Sequence, residues 1–378
     1  MQPPPLGLYI HLPWCERKCP YCDFNSHEAE VVPQQEYIDA LLRDLDRDLP
    51  LVQDRPVETL FVGGGTPSLF EPEAIARLLA GVNTRLQLDP DLEATLEANP
   101  GSAEAAKFLG FRQAGINRLS IGVQSFHDDC LQRLGRVHDS EQAETAIALA
   151  RAAGLDSFNI DLMHGLPDQG TPGARADLHK AMSLGAPHLS WFQLTLEPNT
   201  RFFSQPPLLP DEDGLAAIQE EGEQILQGAG YVQYEVSAWS RPGFQCRHNR
   251  NYWTFGDYLG IGAGAHGKIT GTDGRIMRYR KTRTPRSYLQ AEHDFRADSK
   301  ALGQDDIVGE FMLNVLRLHE GFTADLFETR TGLPARLIVE RIHSLGERQL
   351  LEQAGTTIRA TPLGRRFLDT VVAEFFPD

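Results

Sequence analysis

The sequence predicts an α/β protein: a partial (β/α)6 barrel followed by a small C-terminal helical, winged-helix-like domain. Three observations carry this expectation. Over residues 1–235, six short apolar runs alternate with helical patterns, which implies parallel strands with helices outside them. From 236 the alternation stops, and a segment rich in Gly, Asn and aromatics runs to 300. Over 301–378 helical periodicity returns around one short polar strand. A doubly wound open sheet is the alternative arrangement of the same units.

The six strands read, in order, as GLYIHL, VETLFVGG, LEATLEANP, NRLSIGVQS, SFNIDLMHGLP and HLSWFQLTLEP, each ending in Gly, Pro or polar residues. Helical patterns fall between them at 34–49, 72–86, 102–114, 139–153 and 173–185. In EQAETAIALARAAG, apolar residues recur at helical spacing and Gly154 sits at the end. The expected organisation is therefore a barrel over 1–235, a connecting region over 236–300 and a helical domain over 301–378. In the last, DDIVGEFMLNVLRLHEG, FTADLFETRTG and PARLIVERIHSLGERQLLEQAG read as helices, TTIRAT as a strand and PLGRRFLDTVVAEFF as a final helix.

The chain has 378 residues, 41% of them hydrophobic and 23% charged, the balance of an ordinary globular protein. Its net charge of −16 gives no broad basic footprint, so nucleic acid is not an expected partner. No apolar run approaches the ~20 residues that span a bilayer. The start, MQPPPLGLYI, has no basic region followed by an apolar core and does not read as a secretory signal. The cytoplasm is the expected location. There thiols stay reduced, and clustered cysteines serve metals or catalysis more often than disulfides.

Three of the five cysteines stand in LYIHLPWCERKCPYCDFNSH, at Cys15, Cys19 and Cys22, with the spacing C-x3-C-x2-C. This is a soft-ligand set, suited to an iron–sulfur cluster or zinc. A structural zinc would need a fourth ligand, and His11 or His27 would supply a Cys3His site. A cubane cluster normally takes four cysteines, one per iron. Three leave one iron with an open position, which is useful where a substrate or cofactor binds iron directly.

That spacing, with Tyr21 just before the last Cys, resembles the radical S-adenosylmethionine (SAM) superfamily. The resemblance implies a 4Fe-4S cluster on Cys15, Cys19 and Cys22, a reductant for it, and SAM chelated at the open iron through its amino and carboxylate groups. FVGGGTPS, residues 61–68, follows a strand and looks like the superfamily's glycine motif for the SAM amino group. On its own, GGG is a tight strand-to-helix turn whose glycines let backbone groups come close to a neighbour. Glu97 in LEANP, Gln124 in GVQSF, Arg136 in LGRVH and Asp161 in NIDLMHGLP fall at or beyond strand ends, where polar residues line a barrel's site. Each alone is equally a strand-end cap or salt bridge. Together they suit a cationic sulfonium, a ribose diol and an amino-acid carboxylate.

Over nearly the whole chain, YIHLPWCERKCPYCDF, GGGTP, EANP, GVQSF and NIDLMHGLP resemble the oxygen-independent coproporphyrinogen III oxidase family. The resemblance implies cluster or SAM contacts at Tyr9, Cys15, Cys19, Tyr21, Cys22, Gly64, Gly65, Thr66, Glu97, Gln124, Arg136, Asp161 and Thr195. Two departures stand out. Phe24 occupies the position where the decarboxylases carry a further Cys, and the chain reaches Cys15 without their longer N-terminal extension. In their place, CRHNRNYW, residues 246–253, contains HNxxYW and looks like the signature of the heme chaperone branch of the family. The implied heme contacts are His248, Asn249, Tyr252 and Trp253. Imidazole and thiolate are both axial ligands of heme iron, so His248 is the first expected ligand and Cys246 a second. Tyr252 and Trp253 offer flat faces with a polar handle. A loop closed by its own side-chain-to-backbone hydrogen bonds is the plain alternative.

The expected function is that of a heme chaperone, which binds heme and delivers it to apo-hemoproteins while carrying a 4Fe-4S cluster and SAM. The alternative is an enzyme, oxygen-independent coproporphyrinogen III oxidase, forming protoporphyrinogen by radical decarboxylation. No residue is assigned a catalytic role. Cys130 reads as a structural thiol. GAGAHG, residues 262–267, reads as packing across the barrel mouth, with His266 near SAM or heme. The basic run MRYRKTRTPR, 277–286, is either a solvated face or a contact for heme propionates, a partner or the inner face of a membrane.

Overall fold

The computed structural model describes residues 3–52, 54–155 and 157–377. All six expected strands form. They are β1 (Leu6–Leu12), β2 (Val57–Gly64), β3 (Leu88–Ala98), β4 (Arg118–Gln124), β5 (Ser157–His164) and β6 (His188–Gln193). They pair in parallel in chain order. Helices α1 (Gln34–Asp48), α2 (Pro72–Asn83), α3 (Phe108–Ala114), α4 (Ser140–Ala152) and α5 (Thr171–Ser183) make the crossovers. The pattern expected over 102–114 forms two pieces, the short helix Ser102–Ala105 and α3. Strand residues such as Leu8, Ile10, Leu60, Val62 and Leu119 are fully buried, as parallel strands covered on both faces must be.

The sheet does not stop at six strands. After α6 (Glu212–Gly228) come β7 (Val232–Glu235) and β8 (Ala238–Ser240), antiparallel additions beyond β6. A short helix, α7 (Arg247–Trp253), leads to β9 (Asp257–Ile261). β9 pairs with β1 in parallel, Leu6 opposite Asp257 and Ile10 opposite Ile261. β10 (His266–Thr270), β11 (Ile276–Lys281) and β12 (Arg296–Ala301) then meander antiparallel. The full order is β12-β11-β10-β9-β1-β2-β3-β4-β5-β6-β8-β7. The alternation fades at 236 in the sequence because these strands are short and joined by turns, with no crossover helix to mark them.

The C-terminal part begins with α8 (Gln304–Val315). A three-stranded sheet of β13 (Phe322–Thr323), β14 (Leu351–Ala354) and β15 (Thr357–Ala360), in the order β13-β15-β14, carries α9 (Ala324–Thr331) and α10 (Arg336–Glu347). LEQA, expected to end a helix, is instead a strand of this hairpin. The final helical run breaks into Pro362–Arg366 and Leu368–Ala373. Phe311 packs edge-on against Phe322 and Phe327 and also against Phe255, just before β9. Thus one apolar cluster joins the helical part to the sheet.

A buried ion cluster ties α1 to β11. The Lys281 ammonium lies between the carboxylates of Asp44 and Asp48, all about 1% exposed or less, and Arg296 closes on Asp48. The Tyr288 hydroxyl donates to Asp44 at 2.6 Å. Burial pushes the Asp44 carboxyl up to about 6 against the pull of Lys281. The basic run 277–286 is thus no uniform solvated face, because Lys281 is buried here and Arg278 is held by Glu310 at 2.6 Å. Lys281→Met would leave two buried carboxylates facing one cation. It should lower the unfolding free energy by about 3–5 kcal/mol, read by chemical denaturation; a loss below 1 kcal/mol would show the cluster to be dispensable.

Candidate functional site

β1 runs straight into the cysteine loop. Trp14–Cys15 forms a two-residue parallel bridge with His27–Glu28, closing the loop at its base. The glycine turn after β2 holds the same base: Gly65 donates its N–H to Leu12 O at 2.8 Å and Thr66 to Trp14 O at 2.7 Å. A Cβ on Gly65 would come within 2.4 Å of the Trp14 carbonyl oxygen, so the chains approach closely enough only with glycine there. Lys18 braces the interior, its N–H donating to Glu28 and its ammonium to the Phe24 and Ser26 carbonyls.

Each thiol has its own polar neighbour. The Thr66 hydroxyl donates to Cys15 Sγ at 3.4 Å, the Arg136 guanidinium donates to Cys19 Sγ at 3.7 Å, and Cys22 Sγ lies 4.0 Å from the Ser26 hydroxyl. A hydroxyl or guanidinium donor favours negative charge on sulfur, although burial outweighs it and raises the Cys15 and Cys22 thiols above their usual range. All three cysteines are free thiols. His11 is not turned toward them: its nitrogens engage the Tyr9 hydroxyl and Asn25 O, each at 2.9 Å. Among the described residues no three or more His, Cys, Asp or Glu side chains are drawn together tightly enough to hold a single metal ion, and the thiols instead line a shared cavity.

That cavity has a volume of about 870 Å3. Cys15, Cys19, Cys22, Tyr9, Tyr21, Gly64, Gly65, Thr66, Glu97, Gln124, Arg136, Asp161 and Thr195 all line it, and so do His248, Asn249 and Tyr252. Of the residues expected to contact cluster, SAM or heme, Trp253 and the second expected ligand Cys246 are the ones that do not line it; Trp253 instead lines an adjoining cavity of about 510 Å3 with Tyr252, Tyr258 and His266. Tyr9, Phe24, Gly64, Glu97 and Tyr252 border both.

The middle of the cavity is acidic and unusually set. Glu97 accepts the Gly64 N–H at 2.9 Å. Burial, with the neighbouring charge of Asp161, pushes its carboxyl up to about 7. Asp161 accepts from Asn159 at 2.7 Å and Ser120 at 3.1 Å, and burial raises it too. Gln124 sits at φ 70°, a left-handed conformation rare outside glycine. Its buried Oε1 has no hydrogen-bond partner among the described residues. Arg136 is fixed by Gly122 O at 2.8 Å and by Asn99. Thr195 is exposed and donates to Glu197 at 2.8 Å.

At the other end lies α7, which carries HNRNYW. It is capped by Glu93 of β3, whose carboxylate accepts the N–H groups of Arg247 at 3.1 Å and His248 at 3.0 Å. Cys246 donates to the same carboxylate at 3.6 Å, and burial pushes its thiol up to about 12, so it stays protonated. His248 is 1% exposed. One ring nitrogen bonds the Thr59 hydroxyl and the other the Tyr252 hydroxyl, both at 2.8 Å. Burial, helped by the Arg118 charge, lowers its pKa to about 3, and the ring is neutral. Asn251 faces away from the cavity, donating to Asp257 O at 2.8 Å. The Arg317 guanidinium covers the Trp253 ring at 4.3 Å.

Several lining residues are not among the expected site residues: Arg118, Ser120, His188 and Arg317, and Asn159, which opens NIDLMHGLP. The period-two rule would have found Ser120 and Asn159, which sit on β4 and β5 beside Asp161. Arg118 and His188 begin their strands, and nothing local marks them as polar floor. Glu93→Ala would strand two helix donors and should cost about 1–3 kcal/mol in urea unfolding. It should also unsettle α7 first, seen as faster amide exchange over 247–253 than over β2; uniform exchange would refute the capping role.

Comparison with known proteins gives consistent results. The radical SAM superfamily model matches residues 9–174, and the HemN C-terminal domain model matches 302–367. The chain is 49% identical to "Heme chaperone HemW" of Escherichia coli over 381 residues, covering 99% of both chains, and 47% identical to its Haemophilus influenzae counterpart at the same coverage. A mitochondrial mouse protein, "Radical S-adenosyl methionine domain-containing protein 1", is 39% identical over 84% of this chain and 74% of its own. Among solved structures, coproporphyrinogen III oxidase (HemN) of Escherichia coli, described as a radical SAM enzyme, superposes with a TM-score of 0.83 at 25% identity, covering 99% of this chain and 90% of that one. The partial barrel and C-terminal helical domain expected from the sequence are the fold of that enzyme. The chain belongs to the radical SAM superfamily and, within it, to the HemW family.

Proposed function

We propose that the protein is a heme chaperone: it takes heme into the aromatic end of the site and passes it to apo-hemoproteins. The observation that carries this reading is that one cavity joins the thiol trio to the HNRNYW helix. A protein that only bound SAM would not need an aromatic, histidine-bearing wall opposite its cluster loop. The HemW relatives supply the cargo by analogy.

The family implies a 4Fe-4S cluster and SAM, and the residues present fit both. Cys15, Cys19 and Cys22 reach one cavity from one braced loop, each beside a donor. Gln124 Oε1, buried and unpartnered, awaits a donor from a ligand. In this reading Gly64, Gly65, Thr66 and Glu97 hold the SAM amino end, Arg136 its carboxylate, and Asp161 and Gln124 the ribose, with Tyr9, Tyr21 and Thr195 as walls. The bound cluster would supply one-electron chemistry. His248 and Asn249 position Tyr252, and Trp253 extends the flat wall into the adjoining cavity. An external reductant serves the cluster. No described helix is long and apolar enough to cross a membrane. We place the protein in the cytoplasm, with Arg283 and Arg286, exposed in the basic run, as its contact to the inner face of the membrane.

A second reading, coproporphyrinogen oxidation, is favoured by the complete set of polar residues around the thiols and by the HemN fold. Two measurements separate them. Anaerobically reconstituted protein should bind hemin saturably and lose it to an apo-hemoprotein; absence of saturable binding would sink the chaperone. Anaerobic incubation with coproporphyrinogen III, SAM and reductant should yield no protoporphyrinogen, whereas turnover would establish the oxidase.

The Glu97 carboxyl gives a pH signature. Its pKa of about 7 means that it is largely protonated below neutrality. The SAM ammonium binds the carboxylate, so apparent SAM affinity should fall as pH drops from 8 to 6, by close to tenfold per unit once below the pKa. Glu97→Gln should flatten the profile. An unchanged slope in that variant would remove Glu97 from the SAM site.

A further inference from the structure

HNRNYW draws attention to His248 as the iron ligand, but its surroundings argue otherwise. Both ring nitrogens already hold hydroxyls at 2.8 Å, and the ring is 1% exposed. One side stacks on Phe61 with centroids 5.2 Å apart, and Tyr252 stands edge-on at 4.7 Å. Iron coordination would require breaking a buried hydrogen bond, since neither ring nitrogen is left without a partner.

A second imidazole stands at the neighbouring cavity. His266 opens β10 and lines the 510 Å3 space together with Tyr252, Trp253 and Tyr258. It is exposed, and its ring makes no side-chain hydrogen bond or ion pair among the described residues. We propose that His266 is the side chain that ligates the heme iron, with the porphyrin lying against the aromatic wall of this adjoining cavity, while His248 is a positioning residue that fixes Tyr252. This rests on the heme reading above and assigns its ligand.

The sheet gives the site its shape. His266 and Lys268 project from the same face of β10, and Arg280 and Arg278 are their direct cross-strand partners on β11. On β9 the residue beside Lys268 is Tyr258. One step further along the same face is Gly260, which packs so closely on β10 that a Cβ there would come within 1.8 Å of the His266 carbonyl oxygen. His266 therefore has no β9 side chain beside it, and its ring can turn into the cavity. Tyr258 in the next row extends the flat wall.

The cations sort themselves by their present partners. Arg278 is committed to Glu310 and Tyr258, and Lys268 to Asp257 at 2.8 Å. Arg280 is exposed and only loosely paired, 3.7 Å from an equally exposed Asp298. Directly opposite His266, Arg280 is the cation free to take a propionate. Burial and the charges of Arg278 and Arg280 lower the His266 pKa, so the ring offers a lone pair to iron rather than a proton.

The test is a hemin titration of the reconstituted full chain followed in the Soret region, with low-temperature EPR of each complex. His266→Ala should weaken hemin binding by about tenfold or more and lose the imidazole-ligated signature, and added free imidazole should restore it. His248→Ala should keep that signature even where its affinity drops. Because His266 is exposed, circular dichroism should show both the fold and the thermal transition of His266→Ala unchanged. Wild-type affinity and spectrum in His266→Ala, or loss of the signature in His248→Ala alone, would overturn the assignment while leaving the chaperone intact. Failure of the wild-type protein to bind hemin saturably would instead bring down the functional reading, and the ligand assignment with it.

Discussion

Strand β1 is held by β2 on one side and β9 on the other, both in parallel, and this double pairing gives the cavity two chemically different ends. The β2 side places the glycine turn against the root of the cysteine loop. The β9 side brings α7 in just before it and the GAGAHG turn just after it. With both edges of β1 bonded and both faces covered, its direction is fixed, and the thiols project from a rigid stem.

The same residues serve structure and site, so the cavity floor is a polar layer held largely by hydrogen bonds among its own members, with Arg118 Nε and Gln124 Oε1 left unpartnered among the described residues. Asn159 donates to Asp161 and Ser120, and its oxygen meets His188 at 2.7 Å; His188 in turn bonds Tyr234 at 2.8 Å. Arg118 brings the positive charge to this layer, and burial keeps His188 neutral. Acid groups shifted upward and imidazoles shifted downward are the expected outcome of packing so many ionisable groups beneath one cavity. The middle of the site thus holds its charges in a water-poor setting, where a cationic ligand is felt strongly.

Much of this was legible because the parallel half obeys simple rules. Each of the six strands is an apolar run ended by a turn residue, and the cysteine spacing and GGGTP announce themselves. What stayed hidden was the region 236–300. α7 has only seven residues, too few to show helical periodicity, and it owes its place to Glu93, a residue of β3 that no local pattern links to it. β9 pairs with a strand at the opposite end of the chain, which no window of sequence reveals. HNxxYW marks His248 in the sequence as the first expected heme ligand. That both its nitrogens are spent on Thr59 and Tyr252 is a tertiary fact. His266 stands out in the sequence as a neighbour of SAM or heme, but its openness depends on Gly260 across the strand.

The β1–β9 seam also orders events in time. Leu6 and its partner Asp257 are separated by about 250 residues, a contact of high sequence separation that forms late. During synthesis the cysteine loop and its glycine clasp emerge and can close on one another long before α7, the GAGAHG turn and the last strands exist. The half of the cavity that holds the thiols is therefore built first, as an open groove with β1 still an edge, and the aromatic half is added as a wall when β9 docks. The finished protein offers its second chamber only once the first is in place, because β9 completes it by docking on β1.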